Sequence, residues 1–229
     1  MLALASYDNS HSERVGVLFP ALYAILDPSL ISVPLVPFAQ SLAAAGVTLM
    51  QLRDKRASTG RVFAASQELA AVLCPGGVKF IVNDRPDIAA IAGASGVHVG
   101  QDDLPPEDAR KIVGPSRWVG VSTHNLAQFR EANATSADYI AVGPVFPTAS
   151  KENPDPVVGL ELLREARKLT AKPLVAIGGI TLERASDVFR AGADSVAVIR
   201  DLICAENPAQ RAREYLAVAA KVATERTRG

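Results

Sequence analysis

The chain of 229 residues carries no excess of charge: 24 Lys and Arg balance 24 Asp and Glu, for a formal net charge of zero. A balanced surface sets up no overall field for nucleic acid or an anionic membrane, so any recognition of phosphate has to be local. Cysteine is scarce. Cys74 and Cys204 lie far apart, without metal-binding or redox spacing, as expected for a reducing cytosol. No apolar run approaches the roughly 20 residues that a membrane-spanning helix needs. The opening "MLALASYDNSHSERVG" lacks a basic n-region and an apolar h-region, so it is not expected to act as a secretory signal. No linker, low-complexity tract or shift of composition divides the chain. The expectation is one soluble, cytoplasmic domain over 21–229, preceded by an N-terminal extension over 1–20 in which mobility is expected. Oligomeric state is left open.

What the sequence has is alternation. Short apolar runs recur at "ALYAILD" (21–27), "VTLMQLRD" (47–54), "VKFIVND" (78–84), "GVHVGQ" (96–101), "RWVGVST" (117–123), "DYIAVGPV" (138–145), "PLVAIGG" (173–179) and "DSVAVIR" (194–200). Between them lie helical patterns such as "PLVPFAQSLAAAG", "RVFAASQELAAVLC", "PEDARKIVG", "GLELLREARKLT" and "TLERASDVFRAG". The last, "PAQRAREYLAVAAKVATER", opens with Pro208 at a tolerated first-turn position. Near-continuous apolar strands that alternate with helices imply a parallel sheet covered by helices. Eight such units in about 200 residues predict a single (β/α)₈ TIM barrel. A doubly wound sheet is the alternative, but "ALYAILDPSL" has no glycine for a dinucleotide fingerprint after the first strand.

In such barrels the site is built at the C-terminal ends of the strands, and here the polar residues gather there. In "QLRDK", Gln51, Arg53 and Lys55 alternate, so an extended chain points all three toward one anion. The plainer reading is a solvated charge cluster. Asn83 and Asp84 end the third strand; Asp102 and Asp103 follow the fourth. Carboxylates on neighbouring strands beside cations suit a Mg²⁺-bound phosphate or diphosphate. Against this, Asp84 and Asp103 also read as caps of the helices "RPDIAAIAG" and "PPEDARKIVG". Alternation does not choose between Asp102 and Asp103. "GPVFPTASK" offers Thr148, Ser150 and Lys151. "IGGI" and the following "IR" offer backbone N–H groups where barrels often bind phosphate, although "GG" alone reads first as a tight turn. His98 and Trp118 read as core, His11 as part of the tail, and His124 stands at a strand end within reach of a substrate.

The ordered set "QLRDK", "VNDRPDIA", "GVHVGQDDLP", "VGVSTHN", "DYIAVGPVFPTASK", "VAIGGI" and "VAVI" resembles the thiamine phosphate synthase family from about residue 21 to 204. The resemblance implies a (β/α)₈ barrel that joins 4-amino-2-methyl-5-hydroxymethylpyrimidine diphosphate to hydroxyethylthiazole phosphate, giving thiamine phosphate and diphosphate. It further implies Mg²⁺ held by Asp84 and Asp103, and pyrimidine diphosphate contacts from Gln51, Arg53, Lys55, Asn83 and Ser122. Thr148 and Ser150 would contact the thiazole phosphate, and Lys151 the diphosphate. Gly179, Ile199 and Arg200 would form the distal phosphate cradle. The family often has Thr at the position of Ser150 and a small hydroxyl residue at that of Arg200. Asp102 is then expected to cap or support its loop, and Arg200 to turn outward and pair with Asp201 or Glu206. Two rivals remain: a thiazole tautomerase on the same fold, working through His124 without a metal, and a non-catalytic phosphate-binding barrel.

Overall fold

Strands buried on both faces need apolar side chains at nearly every position, and these strands have them. The computed structural model describes residues 19–148 and 155–228. All residues of β1 (Leu22–Leu26), β2 (Leu49–Leu52), β4 (Gly96–Val99), β6 (Tyr139–Val142) and β8 (Ser195–Val198) are buried. With β3 (Lys79–Asn83), β5 (Trp118–Thr123) and β7 (Leu174–Ile177) they form a closed, wholly parallel barrel in sequence order. Closure comes through β1 and β8, where Tyr23 faces Ala197 in register. The expected eight strands are all present, each shorter than its apolar run. At the C-terminal ends of β2 and β4, Arg53, Asp54 and Gln101 leave the ladder to turn into the loops that carry the chemistry.

The helices α1 (Leu35–Ala44), α2 (Thr59–Leu73), α3 (Pro86–Ile91), α4 (Pro106–Val113), α5 (Leu126–Asn133), α6 (Gly159–Leu169) and α7 (Leu182–Arg190) each follow a strand. A four-residue helix, α8 (Arg200–Ile203), follows β8, and α9 (Pro208–Arg228) closes the ring. Helix faces carrying Leu42, Leu69, Phe129 and Val188 pack on the outer side of the strands. The inner side holds a separate cluster that includes Tyr23, Ile25, Leu49, Ile81, Tyr139 and Val175. No described helix is long and apolar enough to cross a membrane.

At the N-terminal end of the barrel, Phe19 stacks on Trp118 at 5.3 Å and touches Tyr139, with the Lys79 ammonium over the Trp118 ring at 5.6 Å. Phe19, two residues before the expected boundary at 21, thus packs against the barrel, whose first strand begins at Leu22; residues 1–18 lie outside the described residues. Two further clamps share one design. Asp138 accepts from the Val119 N–H and pairs with Arg110; Asp194 accepts from the Leu174 N–H at 2.8 Å and pairs with Arg167 at 2.7 Å. In each, an aspartate just before a strand ties the preceding strand to a helix.

Gly120 sets the height of the interior. A Cβ there would lie 2.0 Å from the Tyr139 ring, so only the missing side chain lets that ring cross the barrel. Tyr139 then stacks on His98 and meets Tyr23 edge-on.

Candidate active site

Above this aromatic floor, the strand ends enclose a cavity of about 480 Å³. Gln51, Arg53 and Lys55 all line it, as their alternation at the end of β2 predicts. Gln51 is the last buried side chain of the three, and its amide nitrogen donates to the Tyr23 hydroxyl at 2.6 Å. Arg53 sits 3.9 Å from Asp27, another strand-end carboxylate. Lys55 reaches across to β3 and donates to Asp84 Oδ2, which also accepts from Asn83 Nδ2 at 2.6 Å.

Asp84 stands at φ 60°, in the left-handed region that a non-glycine residue seldom occupies. Its own N–H is bonded to the His98 carbonyl, so the turn is pinned to β4. Asp103 Oδ2 accepts from the Gly100 N–H at 2.8 Å. Burial, and next the hydrogen-bonding contact with Asp84, raise the Asp103 carboxyl above the ordinary aspartate value. Two carboxyl groups thus meet across the β3–β4 gap beside one ammonium. Such a pair needs a shared proton or a further cation. Its hard oxygen donors suit a divalent cation that keeps most of its waters. Among the described residues, no group of three or more His, Cys, Asp or Glu forms a fuller metal cage.

The capping alternative fails. The residue before α3 is Arg85 and that before α4 is Pro105, and neither helix has a side-chain cap bond. Of the two tasks expected of Asp102, capping the helix fails for the same reason, which leaves support of its loop; Asp102 is exposed at the cavity rim.

Across the mouth, Ser122, Thr148, Gly179 and Ile199 line the cavity. Ser150 and Lys151 lie outside the described residues. Gly178 and Gly179 have φ 96° and 62°, and a Cβ on either would run into Pro144 or Pro147. The "GG" is therefore both a tight turn and a cavity wall, its outer carbonyl held by Arg184 at 2.7 Å. Arg200 is exposed and lies outside the cavity lining. The expected partner Asp201 instead accepts from Tyr215 at 2.7 Å and Arg211 at 3.1 Å, which ties α8 to α9. Burial, then Asp201 beside it, holds the Tyr215 phenol far above its ordinary value, so it stays a donor.

His98 is buried with both ring nitrogens engaged, as expected of a core histidine, yet it also lines the cavity. His124 Nδ1 lies 2.6 Å from the Gly143 carbonyl, and its Nε2 is 3.5 Å from Asp155 Oδ2. Sequence reasoning missed Tyr23 and Tyr139, which sit in runs that read as plain core. The available signal was chemical: a buried tyrosine needs a partner for its hydroxyl.

Comparison with known proteins agrees with this geometry. A family model described as thiamine monophosphate synthase matches residues 22–202. A thiamine-phosphate synthase of Koribacter versatilis is 53% identical over 210 residues, covering 89% of this chain and 97% of the relative. One from Chloroflexus aurantiacus is 43% identical over 173 residues, covering 76% and 80%. Among solved structures, a thiamine phosphate pyrophosphorylase from Pyrococcus furiosus superposes with a TM-score of 0.80 at 34% identity, covering 88% of this chain and 96% of that one. A match that runs from the first barrel strand into the short helix after the last, with relatives aligned over most of their length, makes this chain a member of the thiamine monophosphate synthase family.

Proposed function

We propose that the protein is a Mg²⁺-dependent thiamine phosphate synthase of the cytoplasm. It joins 4-amino-2-methyl-5-hydroxymethylpyrimidine diphosphate to hydroxyethylthiazole phosphate and releases diphosphate. The observation that carries the reading is the Asp84–Asp103 carboxyl pair beside Lys55, facing Gly179 and Ile199 across one cavity. One end is chemically suited to a cation and a diphosphate, the other to a second phosphate.

The reaction breaks the bond between the pyrimidine methylene carbon and the diphosphate oxygen, and forms one from that carbon to the thiazole nitrogen. Diphosphate leaves with the bonding electron pair, and the aminopyrimidine stabilises the cationic carbon. Asp84 and Asp103 would hold Mg²⁺, which would supply positive charge for the departing diphosphate. Lys55 and Arg53 add to that charge from the β2 end, and Lys151 is assigned to the same work by its place in the family pattern. Asn83 and Gln51 orient the pyrimidine half. Ser122 supplies a hydroxyl at its side, and Thr148 with Ser150 serves the thiazole phosphate. Gly179 and Ile199 offer backbone groups to that phosphate. Arg200, exposed and off the lining, is left a charge contribution at a distance. No net proton transfer is needed, in keeping with a site whose prominent groups are charge-compensating.

The proposed partners are the two small-molecule substrates, with neither nucleic acid nor membrane among them, a reading that the balanced charge supports. A tautomerase working through His124 would leave the Asp84–Asp103 pair without a task. The test is direct: protein, both substrates and Mg²⁺ are mixed and thiamine phosphate is measured. Formation of product only when all are present is the expected result. No product from folded protein with both substrates and Mg²⁺ overturns the proposal.

A further inference from the structure

Five side chains from five strands form an unbroken line of hydrogen bonds along the floor of the cavity. Gln51 Nε2 lies 2.6 Å from Tyr23 OH, and Tyr23 OH lies 2.9 Å from Tyr139 OH. Tyr139 OH lies 3.1 Å from His98 Nδ1, and His98 Nε2 lies 2.8 Å from Ser122 Oγ. Gln51, Tyr23, His98 and Ser122 line the cavity; Tyr139 is buried below it.

Proton counting restricts such a line. Burial keeps both phenols protonated, far above their ordinary value. Each therefore has one proton for two partners, and one that accepts on one side must donate on the other. A neutral imidazole obeys the same rule, with one N–H and one lone pair. Only two settings give every bond one proton, with no donor facing a donor and no lone pair facing a lone pair. In the first, the Gln51 amide donates to Tyr23, Tyr23 to Tyr139, Tyr139 to His98 Nδ1, and His98 Nε2–H to Ser122. In the second, every bond is reversed and Gln51 accepts through Oε1. The amide nitrogen of Gln51 at Tyr23 selects the first.

We propose that the line runs one way, from Gln51 through Tyr23, Tyr139 and His98 to Ser122, and so sets the hydrogen-bond code of the cavity walls. With its amide nitrogen engaged, Gln51 offers Oε1 as an acceptor. With its oxygen engaged by His98, Ser122 offers its O–H as a donor. This code matches an amino-substituted nitrogen heterocycle and opposes its oxo counterpart, which would set a carbonyl against Oε1. The inference rests on the reading of the site as a pyrimidine site. It makes Tyr139, which is off the cavity lining, a positioning residue that acts through Gln51 and Ser122, while Tyr23 and His98 carry the line along the cavity wall.

The experiment is ¹⁵N NMR of the histidine rings in the full, ligand-free chain at neutral pH, with the three histidines told apart by single substitutions. His98 is expected as the Nε2–H tautomer. Gln51→Glu at that pH replaces the donor by an acceptor, so it should reverse the line and move the His98 proton to Nδ1. In Tyr139→Phe/Gln51→Glu the line is cut, and the change at position 51 should no longer alter the His98 tautomer. In Tyr139→Phe alone, the KM for the pyrimidine diphosphate should rise by about tenfold, and that for the thiazole phosphate by less than about twofold. The 4-oxo analogue should gain on the amino substrate. An Nδ1–H or doubly protonated His98 in the unsubstituted protein overturns the inference, whatever the variants do. Thiamine phosphate formation with an Nδ1–H His98 overturns the line and leaves the proposed function standing. An Nε2–H His98 that responds to position 51, in a protein that forms no thiamine phosphate, upholds the line while the proposed function fails.

Discussion

Asp84 combines a left-handed backbone with a side chain that meets Lys55, Asn83 and Asp103. Holding such a φ costs on the order of 1 kcal/mol or more, and places the carboxyl where the strand alone would not. Losing even an outer-shell partner of a metal costs about 10–100-fold, so losing a ligand should cost at least as much. Asp84→Asn and Asp103→Asn are each expected to lower thiamine phosphate formation on the order of a hundredfold. Excess chelator should do the same to the unsubstituted protein. Full activity in chelator would remove the metal assignment. Asp102→Asn should change unfolding free energy by less than about 0.5 kcal/mol, since Asp102 is exposed and caps nothing. Lys55→Ala is expected to weaken pyrimidine diphosphate binding and leave thiazole phosphate binding nearly intact; calorimetric titration of each ligand would show equal losses if the two sites were one. At this scale the charged residues were legible as a cluster, because Gln, Arg, Lys and Asp gather at the ends of core strands, although a solvated cluster or helix caps would read the same in sequence. Tyr23 and Tyr139 were not, because an aromatic in an apolar run looks the same in sequence whether or not its hydroxyl is engaged.

Among the elements, strands and helices were readable from their periods, but where each stops is decided by tertiary contacts. The apolar run through "DSVAVIR" predicts a strand to residue 200, yet the chain turns after Val198 into α8. The turn is held from outside, by Tyr215 and Arg211 of α9 gripping Asp201, and no local signal announces that. Tyr215→Phe removes one of these bonds. The KM for thiazole phosphate should rise by up to about tenfold, with that for the pyrimidine substrate nearly unchanged. Arg200→Ser should change the same constant by less than about tenfold, because the exposed guanidinium is off the cavity lining. At the start of α4, Glu107 accepts from the Ser136 N–H and hydroxyl, and the hydroxyl bond foremost holds its carboxyl below the ordinary value. A depressed folded pKa gives stability that is present above the unfolded glutamate value and lost as pH falls through the folded one. Melting curves across that acid range should fall less steeply for Glu107→Gln.

For the molecule as a whole, closure of the barrel followed from counting eight units, and the site's location followed from the fold. The floor did not follow: Phe19 lies outside the expected domain boundary, and its seat is made by Trp118 and Tyr139, both far from it in sequence. Phe19→Ala is expected to lower the unfolding free energy by about 1–3 kcal/mol, measured by thermal or denaturant melting, with both KM values little changed. A large change in either KM would show that the floor and the mouth are mechanically joined.

Gly120 has a consequence that reaches beyond packing. By leaving room for Tyr139, it lets a polar thread cross a cylinder whose walls are held by a closed hydrogen-bonded ladder. Ligands that prefer opposite settings of the thread would then differ in the enzyme only by the positions of four hydrogens and the turn of one amide. Such a difference would leave X-ray maps at ordinary resolution unchanged, since they record neither hydrogens nor the identity of amide atoms. Neutron diffraction would see it. Two crystal structures of this enzyme that superpose atom for atom would therefore not establish that its recognition surface is the same in both.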